Sequence, residues 1–308
     1  MPALKEKRVA ILGSGELADG FHEALVDFPE LVLSAIGGAS GSTVDALLRS
    51  GRVPHLVVLC TPPAGHLGEV RSLLHAGIDV LVEAPLTTTQ EDAEEITTIA
   101  ERLGRIAMTA ERFRVFEAVR EAGSLIDAGR IGRLVYVEAR RSCKLDASHD
   151  WRGNLPQSGG GVWMAYGPDC LDVVEILAGP LERIRMSSVK RRQGTPVEDE
   201  ARVEADHGNG LISRIELSWN QEHPAPIARC VGEQGEILIG WAQSVVTTDR
   251  GREVFAGGYE QQEVCGALLA RFLSQLRRSE PTEDRGGLTL GWIEAAYISH
   301  DSARWEIA

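Results

Sequence analysis

The stretch that most constrains this chain runs from Arg8 to Ala18. An apolar run, Val9 to Leu12, breaks at Gly13-Ser14-Gly15, and a helical pattern starts at once, with Ala18 in its first turn. A strand, a tight turn and a helix in that order fit the glycine spacing G-x-G-x-x-A. Gly13 permits the turn. Gly15 lets a ligand approach the backbone, and Ala18 lets the helix close on the strand. The helix N-terminus then favours negative charge, so the turn reads as a cradle for a phosphate-bearing ligand. The plainer alternative is an ordinary glycine-rich turn.

The next ninety residues support the cradle. Leu31 to Ile36 reads as a second strand, and Ser42 or Thr43 can cap a helix to Arg49. Leu56 to Cys60 is a buried-looking strand ending at Thr61-Pro62-Pro63. The spacing then predicts a helix over 65–76, a strand over 80–82, a helix over 89–103 stopped by Gly104, and a strand over 106–108. Short strands alternating with helices imply a parallel sheet with right-handed crossovers. After Phe113 the rhythm changes. A helix is expected over 116–128, a strand over 134–139, a polar glycine-rich loop over 150–161 and a helix over 164–177 with Gly167-Pro168 at or near its start. Six strand-like stretches between Ile184 and Thr248, separated by turns such as His207-Gly208-Asn209-Gly210, imply an open, largely antiparallel sheet. Two helices close the chain. The fold expected is α/β, with one domain over 1–113 and a second over 114–308.

Composition narrows the partners. A net charge of −13 disfavours nucleic acid and anionic membrane surfaces. No apolar run reaches the roughly 20 residues of a membrane span, and the charged start carries no secretory signal. Cys60, Cys143, Cys170, Cys230 and Cys265 are odd in number and widely spaced, which suits reduced thiols in a cytoplasm rather than disulfides or a metal site. The usual acid after the second strand is missing. Gly37 and Gly38 stand there, with Ser40, Ser42 and Thr43 nearby. Without that carboxylate the barrier to a 2′-phosphate is gone, which tips the expectation towards NADP and leaves NAD open.

Several short patterns are arranged along the chain in a telling order. They are the Gly13-Ser14-Gly15 loop, Thr61-Pro62-Pro63 with His66, Glu83-Ala84-Pro85, Gly129-Arg130-Ile131-Gly132 and Asp150-Trp151-Arg152. Gly159-Gly160-Gly161 leading to Gly167 and Asp172, Gly208-Asn209-Gly210, Ser218-Trp219 and Gly232-x-x-Gly235 complete the set. Together they resemble the Gfo/Idh/MocA family, which includes glucose–fructose oxidoreductase and inositol dehydrogenase. The resemblance implies a Rossmann domain, a nicotinamide cofactor, and a C-terminal α/β domain whose open sheet forms a homodimer or homotetramer. It implies cofactor contacts at Gly13, Ser14, Gly15, Glu16, Leu17, Gly38, Ser40, Cys60, Thr61, Pro62, His66, Glu83 and Ala84. Substrate contacts are implied at Arg112, Trp151, Arg152 and Asp172.

The chain departs from the family where protons are handled. The family's lysine slot is Ala84. Its aspartate, histidine and aspartate on the helix after the glycine run fall at Ala165, Asp169 and Asp172. Removing a hydride from an alcohol also requires a base within reach of the hydroxyl. Asp169, Lys144, Tyr166 and His149 are the candidates. A carboxylate such as Asp169 is a weak base unless its surroundings raise its pKa. The leading expectation is an NAD(P)-dependent oxidoreductase with an altered proton relay, acting on a sugar derivative, cyclitol or related keto or imine compound. Two alternatives stand: a silent dinucleotide- or sugar-binding regulator, and a non-redox biosynthetic enzyme that keeps the cofactor.

Overall fold

The structure, a computed structural model, describes residues 6–38, 42–51, 53–222, 226–278 and 285–308. The first unit is built on five strands. They are β1 (Lys7–Gly13), β2 (Leu31–Gly37), β3 (Leu56–Cys60), β4 (Asp79–Glu83) and β5 (Ala107–Ala110), joined by α1 (Glu16–Ala24), α2 (Ser42–Arg49), α3 (His66–His75) and α4 (Gln90–Leu103). Every pairing is parallel, in the order β2-β1-β3-β4-β5. The strand order reverses beside β1, the place where open α/β sheets bind ligands. β3 is buried along its whole length, as an apolar strand covered on both faces must be. Thr89 Oγ1 accepts the Asp92 N–H at 3.2 Å and starts α4, and Gly104 ends it in the left-handed conformation. Helix α2 begins at Ser42; the side chains of Ser42 and Thr43, the two proposed caps, lie outside the described residues.

The second unit opens with α5 (Arg112–Val115), α6 (Glu117–Asp127), β6 (Leu134–Ser142), α7 (Leu155–Ser158) and α8 (Val162–Ala178). Then come β7 (Arg183–Lys190), β8 (Glu200–Asp206), β9 (Ile212–Ser218), β10 (Ala228–Gly232), β11 (Gly235–Ile239), β12 (Gln243–Thr248) and β13 (Gly251–Gly257). The eight strands form one sheet, β13-β12-β11-β10-β6-β9-β8-β7, antiparallel except where β6 meets β9. Helix α8 packs on β6, β8 and β9. Strand β13 is missing from the sequence expectation because Arg252 and Glu253 interrupt any apolar alternation, and its residues are largely exposed.

The structure corrects two expectations. The stretch 114–308 does not form one unit. Residues 260–290, with α9 (Gln261–Arg278) and the start of α10 (Arg285–Ser302), group with the first unit, and Gly291–Ala308 with the second. The reason is the apolar stripe Val264, Leu268, Leu269 and Phe272 of α9, which is buried while α9 packs on α1. Nor does α8 start near Gly167-Pro168. It starts at Val162, because the buried Glu198 carboxylate accepts the N–H groups of Gly161 (3.1 Å) and Trp163 (2.9 Å). Pro168 falls inside the helix. Among the described residues no helix is long and apolar enough to cross a membrane.

Candidate functional site

In the first unit the glycine turn is made by backbone alone. Gly13 ends β1 at φ 118°, and a Cβ there would lie 2.0 Å from the carbonyl oxygen of Cys60, its neighbour in β3. Only glycine fits. Gly15, at φ 109°, differs: a Cβ on it would meet nothing within 4 Å. It is the N-cap of α1, and no side chain caps that helix. The first-turn N–H groups of α1 have no capping side chain and the backbone at Gly15 is open, features that suit a pyrophosphate. The geometry fits a dinucleotide. Leu17 and Ala18 are buried and Ser14 and Glu16 exposed, so the first pair anchors the helix while the second faces solvent.

The loop after β3 is braced from within. Thr61 Oγ1 donates to Glu69 Oε2 at 2.5 Å. His66 is 1% exposed; its Nε2 lies 2.7 Å from the Thr61 carbonyl and its Nδ1 3.0 Å from that of Leu86. Burial pushes the His66 pKa down, against the pull of those carbonyls, and raises that of Glu69. Both ring nitrogens face backbone carbonyls, of the Thr61 loop and of the segment after β4, and the one N–H of a neutral ring can donate to either. Glu83 and Ala84 are half-buried at the end of β4, where Ala84 offers only a methyl group. Gly38 is exposed beyond β2, and Ser40 lies outside the described residues.

In the second unit α8 and β6 assemble a charged cluster. Asp169, 2% exposed, takes Arg112 Nη2 at 2.8 Å on Oδ2 and pairs through the same oxygen with Arg141. Asp169 Oδ1 is buried and accepts no hydrogen bond among the described residues. The Arg141 guanidinium lies 4.1 Å from the centre of the Tyr166 ring, and Tyr166 Oη is 3.1 Å from Cys143 Sγ. Burial raises the Tyr166 pKa, with Arg141 pulling the other way. One helical turn along, Asp172 pairs with Arg114 Nε at 2.5 Å, and Glu175 and Glu111 pair with the same arginine. Arg152 is held by both oxygens of Asp150, at 3.0 and 3.1 Å, and lies over the Trp151 ring.

Comparison with known proteins agrees with both halves. Residues 7–111 match the model of an oxidoreductase family with an NAD-binding Rossmann fold, and residues 119–238 match the GFO/IDH/MocA C-terminal domain. The chain belongs to the GFO/IDH/MocA family. It is 24% identical to oxidoreductase P35 of Formosa agariphila, over 72% of this chain and 70% of that protein. It is 25% identical to 1,5-anhydro-D-fructose reductase of Ensifer adhaerens, over 65% and 61%. Other curated relatives are matched over only about half their length. Levoglucosan dehydrogenase, solved with NADH and levoglucosan, shares the fold at a TM-score of 0.82, with 17% identity over 98% of this chain and 99% of that one.

As a GFO/IDH/MocA protein the chain pairs a Rossmann unit with a charged cluster in its second unit. Of the four proton-handling candidates, the structure brings two together. Asp169 and Tyr166 share the Arg141 cluster. Lys144 is exposed just past β6 and forms no ion pair with that cluster among the described residues, and His149 is 85% exposed, bonded to Asp146 and Ser148. Asp169, expected as a base, is ion-paired in the structure. Two guanidinium groups stabilise its anion, so taking a proton would break its ion pairs. Of the expected substrate contacts, Arg112 belongs to the cluster, while Asp172, Trp151 and Arg152 are held in their own pairs. Sequence reasoning missed Arg141 and Glu198. Arg141 was within reach of it. Val137 and Ala139 point to the covered face of β6, and period-two alternation carries Arg141 to that same face. Glu198 lies outside any strand, and nothing in its neighbourhood signals a cap for a helix that begins 36 residues earlier. Cys170 and Cys230 have their pKa values raised to about 12 by burial, as inert core thiols do.

Proposed function

We propose that this GFO/IDH/MocA protein is a nicotinamide-dependent reductase of a small hydroxylated carbonyl compound, with Tyr166 in the place of the family's proton donors. The observation that carries the redox reading is the open Gly15 backbone at the uncapped start of α1. Gly13, Gly15 and the first-turn N–H groups of α1 would hold the pyrophosphate. The bound nicotinamide would supply the hydride. Reduction adds that hydride to carbon, moves the C=O π electrons to oxygen, and requires one proton there. A phenol whose pKa is raised by burial keeps its proton at neutral pH and so suits donation rather than abstraction. Tyr166 is half-buried on α8 with Arg141 over its ring, and Arg141 would stabilise the phenolate left behind. The Ensifer adhaerens relative, a reductase by name, supports this direction.

β2 ends in Gly37 with no carboxylate, which supports acceptance of NADP as well as NAD. The homodimer or homotetramer expected from the family would use the face of the second sheet carrying Arg140, Lys190, Glu200, Arg202 and Glu216; light scattering tests it. For the activity, keto sugars and imines are mixed with NADH or NADPH and followed at 340 nm. Turnover should fall by about 100-fold or more in Tyr166→Phe. No absorbance change despite measured cofactor binding would refute the reductase. That result would favour a silent dinucleotide-binding regulator, a reading motivated by Ala84 and by the ion pairs of Asp169.

A further inference from the structure

Arginines in the second unit fall into two kinds. Arg152 is saturated by Asp150, and Arg114 is shared among Asp172, Glu175 and Glu111. Arg141 is neither. Its side chain is 14% exposed, and its one ionic partner among the described residues is Asp169, through an oxygen that Arg112 also uses. It donates no hydrogen bond to a backbone carbonyl of these residues, and its guanidinium carbon lies 4.1 Å from the centre of the Tyr166 ring. A guanidinium has five N–H donors in a flat array matched to a carboxylate. Most of that array has no partner among the described residues. Beside it, Asp169 Oδ1 is a buried acceptor with no donor among them. A buried charge with unused donors and a buried carboxylate oxygen with unused lone pairs are both unfavourable until a ligand or solvent satisfies them.

We propose that Arg141 and Asp169 form the recognition site for a small hydroxylated carboxylic acid of the sugar-acid class, with the ligand carboxylate on Arg141 and a ligand hydroxyl donating to Asp169 Oδ1. The proposal rests on the function proposed above and names the substrate class of that same site. A neutral sugar would leave the Arg141 fork undersatisfied. A plain short-chain acid would leave Asp169 Oδ1 without a donor. Only a ligand with both groups answers both. The electrostatics agree. Burial and then the neighbouring Arg112 lower the Arg141 pKa to about 10, so the site disfavours its own positive charge and an arriving anion relieves it.

The test is calorimetric, with the full chain loaded with NAD. D-Glucuronate is titrated against uncharged D-glucuronamide, D-gluconate against D-glucitol, with propionate and inorganic phosphate as further probes. Each sugar acid should bind at least about 10-fold more tightly than its uncharged counterpart, as expected for a charge-assisted pair in a buried site. In Arg141→Gln that preference should vanish, and in Arg141→Lys, which keeps the charge but loses the fork, it should survive in part. Wild-type binding carries the test alone if Arg141→Gln fails to fold. Equal affinity for acids and neutral partners, binding of neither acid, tighter binding of propionate than gluconate, or a preference for phosphate would each overturn the proposal. Hydride transfer is read separately at 340 nm. Acid binding without turnover refutes the reductase but not the acid site, and turnover of neutral sugars without an acid preference does the reverse.

Discussion

The glycine turn after β1 and the cluster around Asp169 are built from different materials. The turn is backbone: Gly13 is fixed by the carbonyl of Cys60, and Gly15 leaves the start of α1 open. The cluster is side-chain charge: Asp169, Arg112 and Arg141 hold one another on α8, α5 and β6. A backbone site tolerates change in every side chain around it but not a single Cβ. A charge site can be rewired one residue at a time, because a new ion pair can replace an old one. The difference predicts that the turn at Gly13 resists substitution while the cluster around Asp169 accepts it.

The sharpest way to break the comparison is at Gly13. Gly13→Val places a Cβ against a carbonyl that cannot move without parting β1 from β3, and adds strain at positive φ. The loss should exceed about 4 kcal/mol, enough to prevent recovery of folded protein. Gly15→Ala is the control. Its φ is also positive but its surroundings are open, so it should fold with about 1–2 kcal/mol less stability and lose affinity for NAD and NADH in a fluorescence titration. Equal behaviour of the two variants would show that backbone conformation, not the contact with Cys60, governs the turn.

The charge network should respond next. Arg114→Met removes the cation shared by Asp172, Glu175 and Glu111. Urea unfolding should show a loss of about 3 kcal/mol, because three carboxylates in a poorly solvated place lose the cation they share. Adding Asp172→Asn should return part of it. A double variant no more stable than the single would mean that Arg114 contributes by packing.

How far each region could be read from the sequence obeys the same division. The strand–turn–helix order and the parallel sheet were legible from Val9 to Met108, since glycine spacing and apolar periodicity are local. The strands from β7 to β12 were legible as strands. Their order was not, because the parallel neighbour of β6 is β9, some seventy residues on. Asp169 was legible as a charged site residue, but its ion pairs were not. Its neighbours Arg112 and Arg141 are 57 and 28 residues away in sequence, and no spacing rule ties a carboxylate to two distant arginines. The origin of α8 was misplaced for the same reason: its capping acid, Glu198, comes from the far side of β7.

Glu198 gives a prediction in pH. Its carboxylate is buried, accepts Gly161 N–H, Trp163 N–H and the Tyr297 hydroxyl, and has a pKa raised by burial above the ordinary 4.5. From pH 4.5 up to the raised value the native state holds a proton that the unfolded chain has released. Stability from this group is therefore full below pH 4.5, falls as pH rises through the window, and is level above it. Glu198→Gln should remove that fall, so wild type should lose stability relative to the variant across the window. Glu198→Ala should cost about 2–3 kcal/mol at every pH, since buried donors then lack an acceptor. A wild type that gains on the glutamine variant as pH rises would show that the three donors outweigh burial.

The smallest effects are expected outside the cluster. His149 is bonded to Asp146 and Ser148 in an exposed loop, and Lys144 is exposed and free of ion pairs among the described residues. His149→Ala and Lys144→Ala should leave the melting temperature unchanged and kcat/KM within about twofold of wild type, while Tyr166→Phe should not. The contrast matters because an exposed lysine can swing over a long arc, and its amine is the one basic amine in this set. If Lys144→Ala abolished turnover and Tyr166→Phe spared it, the proton would come from a mobile residue at the strand end, and the Arg141–Asp169–Tyr166 cluster would serve only to hold the ligand.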